Sequence, residues 1–311
     1  MTIQYLISHI EENAHIADIY ALAVTSELAL TISGDSYLKI WDVDSHYHPL
    51  IHTFNPSHKI GGHSVTISKS GNAFIAASSG FLGDIIIWDL KEFKEITRLG
   101  ESFNETKLGE AWTVALSPNG KILATTSYKG SLNLLDISSR ENILQLETRG
   151  NFGICIDYSK NGKYIATGHE KGGLYVFSVE KGKLLHSLHG HTSTIRSVSF
   201  SPCSTFLAAA GDSKVIALYD VQSGEQVANL TGHKAWIFSL DWNITGEYLV
   251  SGAIDGTTKV WEIEKKECVG TQNHSQCAIW CVKWIIKRTG EGFISVGADK
   301  AIRWYRVAAA E

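Results

Sequence analysis

Seven times along the chain a bulky residue, usually followed by an acidic one, ends a short apolar run. The bulky positions are Trp41, Trp88, Leu135, Phe177, Tyr219, Trp261 and Tyr305, spaced 42 to 47 residues apart. The residues after them are Asp42, Asp89, Asp136, Ser178, Asp220, Glu262 and Arg306, so the signature fades in the fourth and seventh copies. A period of this length means one supersecondary unit per copy, each unable to bury its apolar face alone and therefore stacked on its neighbours.

Each unit reads as four short strands. The first alternates, as in "IRSVSF" and "WTVAL". A turn follows, with Asn119-Gly120 or Asn161-Gly162 supplying the positive φ angles of a tight hairpin. Next come "ILATTS" or "YLVSG", a second turn, the strand that ends in the bulky residue, and a last segment such as "KLLHSL". Only 4 prolines interrupt the chain, and helical periodicity never extends beyond a few residues. Seven all-β units of this size predict a seven-bladed propeller spanning residues 1–307, with 308–311 as a tail. The seventh unit stops after its third strand. A spare alternating segment, Ile3 to Ile10, precedes the first and is expected to serve as the missing outer strand, closing the ring.

Composition excludes several functions. With 28 basic and 32 acidic side chains and no basic block, the chain gives no electrostatic reason to expect direct nucleic-acid or membrane-surface binding. No apolar run approaches the roughly 18 residues of a membrane span, and the N-terminus lacks the basic start of a signal peptide. The five cysteines (155, 203, 268, 277 and 281) are unevenly spaced and read as reduced thiols. His274, Cys277 and Cys281 have a spacing that zinc tolerates, but they lie on an incipient strand and lack a clear fourth ligand. No phosphate-cradling glycine loop and no GxSxG is present. No cofactor is expected.

Gly190-His191 and Gly232-His233, the Trp-Asp pairs and the regular spacing together resemble the WD-repeat family over essentially the whole chain. The segments "DISSRENILQLETRGNF", "GKLLHSLHGHTSTIRSVSFSP" and "AWTVALSP" are similar to one branch, the small WD-repeat subunit of the superkiller RNA-decay complex. In some fungi that subunit also acts in meiotic double-strand-break formation.

The resemblance implies a buried hydrogen-bond chain in each blade, from a loop histidine through an aspartate and a hydroxyl to an aromatic ring. Three sets are expected: His15, Thr31, Asp35 and Trp41; His233, Ser251, Asp255 and Trp261; and His274, Ser295 and Asp299 with Tyr305. In each the hydroxyl stands four residues before the Asp, and the Asp six before the ring. Blade 2 places His58 in the histidine slot, blade 3 has Lys107 and blade 4 has Arg149. Blade 5 keeps His191 but has Ser213 for the Asp. Looser pairing is therefore expected in blades 2 to 5.

The residue five positions after the histidine slot is expected at the mouth of the central channel. Around the ring this gives Tyr20, His63, Trp112, Ile154, Arg196, Phe238 and Trp280. Three positions after the slot, on the same face, come Asp18, Gly61, Glu110, Phe152, Thr194 and Trp236, with Gln276 or Cys277 in blade 7. Aromatic residues and arginine dominate binding hot spots, so these positions read as a partner site, with Asp18 and Glu110 able to receive a basic side chain. The alternative is that they only plug the channel.

The branch implies a non-enzymatic scaffold, monomeric on its own, working in cytoplasm and nucleus. Its partners would be a tetratricopeptide scaffold subunit and a DExH-box RNA helicase, or a topoisomerase-like meiotic DNA-cleaving protein. Such partners present a Gln-Arg pair followed by bulky apolar residues. Two other readings stay open. One is a different WD-repeat adaptor, such as a ubiquitin-ligase substrate receptor or a transcription-elongation or chromatin adaptor. The other is a propeller enzyme using a titratable group such as His63 or Glu110.

Overall fold

The computed structural model describes residues 4–70, 73–99, 111–148, 151–273, 276–287 and 290–308. Among the described residues, twenty-eight strands form seven four-stranded antiparallel sheets. Blades 1 to 6 begin at inner strands Ile19–Val24, Gly62–Ser70, Ala111–Leu116, Gly153–Tyr158, Ile195–Phe200 and Ile237–Trp242. Each adds its next three strands outward in sequence order. Blade 7 runs from Ile279–Lys287 through Gly290–Gly297 to Ile302–Val307 and takes Tyr5–Glu11 as its outer strand. Tyr5 pairs with Val307 and Glu11 with Ile302. The ring is a seven-bladed propeller closed by the N-terminal strand, as expected.

Position in the blade explains the sequence of each strand. Third strands such as Ile85–Asp89 and Leu174–Ser178 are covered on both faces and are almost continuously apolar. Outer strands such as Asn142–Leu146 are half in water and alternate. Seven apolar clusters fill the seven seams between adjacent blades. Trp41 and Trp304 both belong to one, between blades 1 and 7; Tyr5, Trp284 and Phe293 lie in another, between blades 6 and 7.

The Asn-Gly turns depart from the two-residue hairpin expected of them. Only Gly120 and Gly162 take positive φ, at 66° and 72°. Asn119 Oδ1 instead accepts hydrogen bonds from the Ser117 hydroxyl and the Lys121 N–H, and Asn161 does the same with Ser159 and Lys163. The asparagines brace five-residue loops by folding back on their own backbone.

The hydrogen-bond chains hold in part. His15 bonds Asp35 through Nδ1 (2.9 Å) and Thr31 through Nε2 (2.8 Å), and Trp41 donates to Thr31 (2.9 Å). Blade 2 corrects the expectation of looser pairing. His58 bonds Asp84 (2.6 Å) and Ser78 (2.9 Å), and Trp88 donates to Ser78 (2.8 Å). Hydroxyl and ring are ten residues apart in both blades, but the Asp has moved within a differently shaped turn.

Blade 6 overturns one assignment. His233 reaches Ser251 (2.6 Å) and Trp261 donates to Ser251 (2.8 Å), but Asp255 does not join the set. Its carboxylate is captured inside its own turn by the Thr257 N–H and hydroxyl at 3.1 and 2.6 Å, leaving His233 Nδ1 buried without a hydrogen bond among the described residues. In blade 7, His274 lies outside the described residues, and the Asp299 carboxylate pairs with Arg303. Lys107 and Arg149 also lie outside them. In blade 4, His169 of the second strand does the histidine's work, bonding Thr167 (2.9 Å) and the Asn151 carbonyl (2.8 Å). In blade 5, His191 Nδ1 meets Ser213 at 3.3 Å.

Candidate interaction site at the channel mouth

All seven residues expected at the mouth line one central cavity of about 610 Å³. A backbone device puts them there. In every blade the pairing of inner and second strands breaks at this residue: the register skips Tyr20, His63, Ile154, Arg196, Phe238 and Trp280, and skips Trp112 together with Thr113. A bulge of this kind releases one residue from the ladder and re-aims its side chain. Here it turns seven side chains toward the opening.

These side chains form a belt of rings. Phe238 meets Trp280 edge-on at 4.7 Å between centroids, and Trp280 tilts over Tyr20 at 6.0 Å. Tyr20 touches Phe81 at 5.3 Å, Phe81 stacks on His63 at 4.9 Å, and His63 lies 3.9 Å from Trp112. Trp112 meets Tyr128 and Phe152, which stack on each other at 4.6 Å. Arg196 is held by Asp212 and lies 5.1 Å from the Trp236 ring and 4.6 Å from that of Phe238. Cation–π contacts thus extend the belt into blade 5; Ile154 closes the circle with an aliphatic side chain.

The second row is also on this face. Asp18 accepts the Trp280 indole N–H at 3.1 Å. Trp236 is 42% exposed. Glu110 lies outside the described residues. Blade 7 needs a correction: the Ala298 N–H bonds the Ala278 carbonyl, as Gly34 bonds Asp18 and Ile254 bonds Trp236. Ala278, not Gln276 or Cys277, therefore holds this position.

Phe81 and Tyr128 were not expected from the histidine count. They stand at the turn between second and third strands, seven residues before Trp88 and Leu135, where blade 6 has Ile254. Counting back seven from each repeat's bulky residue finds them. Ile16, Ile60, Leu82, Tyr128, Trp236 and Ile254, all exposed, lie in loops of this same face, Ile16 at 75%. An apolar rim this extensive is unusual for surface held only against water.

Titratable groups at the mouth are few. Burial, against a smaller opposing pull from the Trp112 backbone, brings the His63 pKa down to about 4, so the ring is neutral at pH 7. Burial and the charge of Asp18 raise that of the Tyr20 hydroxyl. Below the belt, Lys283 pairs with Asp241 at 3.0 Å, while Asp157 and Asp241 accept the backbone N–H groups of Phe200 (2.7 Å) and Trp284 (2.8 Å) in the next blade. Those carboxylates act as inter-blade staples. Cys281 is buried with its thiol on the Leu22 carbonyl, and no cluster of three potential metal ligands occurs among the described residues. The arrangement offers contact area and shape. Among the described residues of the mouth, no nucleophile stands beside a base.

Comparison with known proteins agrees with this architecture. The chain is 46% identical over 308 residues to the meiotic recombination protein rec14 of Schizosaccharomyces pombe, covering 99% of each. The chain belongs to the WD-repeat β-propeller family. The WD repeat-containing protein SL1-17 of Schistosoma mansoni is 31% identical over 129 residues, 42% of this chain and 40% of that protein. The family described as the DDB1- and CUL4-associated factor 12 β-propeller matches residues 179–287, which lie in blades 4 to 7 of this WD-repeat ring.

Proposed function

We propose that this WD-repeat propeller is a non-enzymatic scaffold that grips apolar segments of partner proteins at its channel mouth and serves meiotic recombination. The belt of rings around an open mouth carries this reading. Preformed aromatic surfaces bind at low ordering cost because their side chains are already fixed against one another. The recombination role is supported by the near-full-length likeness to a meiotic recombination protein. A topoisomerase-like DNA-cleaving protein is the partner in that setting, and the protein works in the nucleus there.

A second setting is cytoplasmic RNA decay, with a tetratricopeptide scaffold subunit and a DExH-box helicase bound at the same mouth. It is favoured by the wording of residues 111–118, 136–152 and 182–202, which is similar to the superkiller subunit. Co-purification from vegetative and meiotic cells separates the two settings. Trp112→Ala or Trp280→Ala should cost about 2 kcal/mol or more of partner affinity while the melting temperature stays near normal. Untouched binding, or an unfolded variant, would count against the assignment of the mouth.

A further inference from the structure

The face opposite the aromatic mouth carries a different signal. It is built from the turns joining first to second and third to fourth strands. In blades 3 and 4 these turns hold Lys121, Arg140, Lys160, Lys163, Lys181 and Lys183, all exposed, against three carboxylates, Asp136, Glu141 and Glu180. None of the six cations makes an ion pair among the described residues, although the charge of Lys160, which also lines the central cavity, acts on the Asp157 carboxyl. Asp136 is already engaged by the Ser138 and Ser139 N–H groups and the Ser138 hydroxyl.

This is a local reversal of charge, since the chain as a whole is at −4. The corresponding turns of blade 5 hold Asp220 and Glu225 with no cation. Those of blade 6 hold four glutamates against Lys265 and Lys266. The positions of the cations are built in. Asn119 and Asn161 hold the backbone N–H groups of Lys121 and Lys163 at 3.1 and 3.0 Å. The two blades are also continuous here, for a Cβ placed on Gly182 would stand 3.3 Å from the Leu144 side chain. Lys181 and Lys183 therefore stand close to the outer strand of blade 3, in which Ile143 is 54% exposed, and Leu184, next to Lys183 in the chain, is 46% exposed.

Cations beside exposed aliphatic side chains suit a partner that carries both carboxylates and apolar groups. A nucleic-acid backbone offers no apolar complement to Ile143 and Leu184. Its bases would seek aromatic rings to stack on, and none occurs in these four turns. We propose that the underside of blades 3 and 4 is a docking surface for an acidic segment of a partner protein, one alternating carboxylates with apolar residues. It lies on the face opposite the channel mouth, and only Lys160 of its cations also lines the central cavity, so one propeller can hold two chains on opposite faces.

The probe is a fluorescein-labelled peptide of Glu-Glu-Leu repeats, followed by fluorescence anisotropy against the full-length protein. Saturable binding should weaken at least about tenfold when Lys160, Lys163, Lys181 and Lys183 are all changed to Glu. The milder fourfold Lys→Gln variant should weaken it less, which guards against a folding artefact. Ile143→Ser with Leu184→Ser should weaken it with every charge intact, and Trp112→Ala should leave it unchanged. The proposal is overturned if the peptide does not saturate, if charge reversal has no effect, or if a single-stranded oligonucleotide of equal charge binds as tightly as the peptide.

Discussion

Trp280 of the last blade donates its indole N–H to Asp18 of the first at 3.1 Å, across the seam where the two ends of the propeller meet. The bond fixes which way the Trp280 ring faces, and that ring links Phe238 to Tyr20 in the aromatic belt. A small cross-blade contact therefore sets the shape of a large apolar surface. Trp280→Phe keeps a ring but loses the bond. It should cost about 1 kcal/mol of partner affinity, clearly less than Trp280→Ala, with an unchanged melting temperature. Calorimetric titration of both variants with a co-purified partner checks this. Equal losses would show that orientation of the ring is irrelevant.

The histidine chains predict a ranking among blades. His58 is buried and joins two buried partners, Asp84 at 2.6 Å and Ser78 at 2.9 Å. Removing it strands a carboxylate beside Arg98 and a hydroxyl shared with Trp88. His191 Nδ1 makes a longer contact, to Ser213 at 3.3 Å. His58→Ala should destabilise by about 3 kcal/mol and His191→Ala by about 1 kcal/mol. Chemical denaturation of the two variants side by side measures the difference. A reversed order would mean that these chains are decorative.

In blades 2 and 6 the aspartate departs from the repeat for a physical reason. The strand pair fixes the ten residues between hydroxyl and ring, but the aspartate sits in a turn whose shape the repeat does not dictate. Asp84 lies four residues before its ring and still reaches His58, whereas Asp255 keeps the expected spacing and is captured by Thr257. Seven blades, their order and the closing strand were legible because the bulky residue recurs at a nearly fixed interval. The first row of the mouth was legible by counting from the histidine slot. The bulge that aims that row was not, because Tyr, His, Trp, Ile, Arg, Phe and Trp share no chemistry a sequence could advertise. Phe81 and Tyr128 needed a count from the other end of the repeat.

Acid should loosen the propeller through its buried imidazoles. His63 and His233 have pKa values lowered from 6.5 to about 4, in both cases by burial first, with the charge of Lys259 adding to the effect at His233. Between those two pH values the unfolded chain takes up a proton that the folded protein refuses. Stability is therefore full above pH 6.5 and falls as the pH drops toward 4, by about 1–3 kcal/mol per histidine. His63→Phe should preserve the stack between Phe81 and Trp112 and flatten this part of the profile. Melting temperatures at half-unit pH steps test it, and a variant with the wild-type slope would acquit His63.

Closure by the N-terminal strand has the largest expected effect. Tyr5 is 3% exposed and packs on Trp284 at 6.0 Å and Phe293 at 5.3 Å, inside the seam between blades 6 and 7. Tyr5–Glu11 also satisfies the outer edge of Ile302–Val307, and the Ala308 N–H reaches the Gln4 carbonyl at 2.8 Å. Deleting residues 1–11 would uncover that seam and leave the third strand of blade 7 as a bare edge, which invites pairing between molecules. Tyr5→Ala alone should cost about 3–5 kcal/mol, as expected for truncating a buried aromatic ring. The deletion should melt lower still and elute as aggregates on size-exclusion chromatography. Adding a synthetic peptide of residues 1–12 should restore part of the melting temperature, because the strand's pairing surface remains on Ile302–Val307. A truncated protein that stays monomeric and melts with the full chain would show that the seven sheets hold together without their latch.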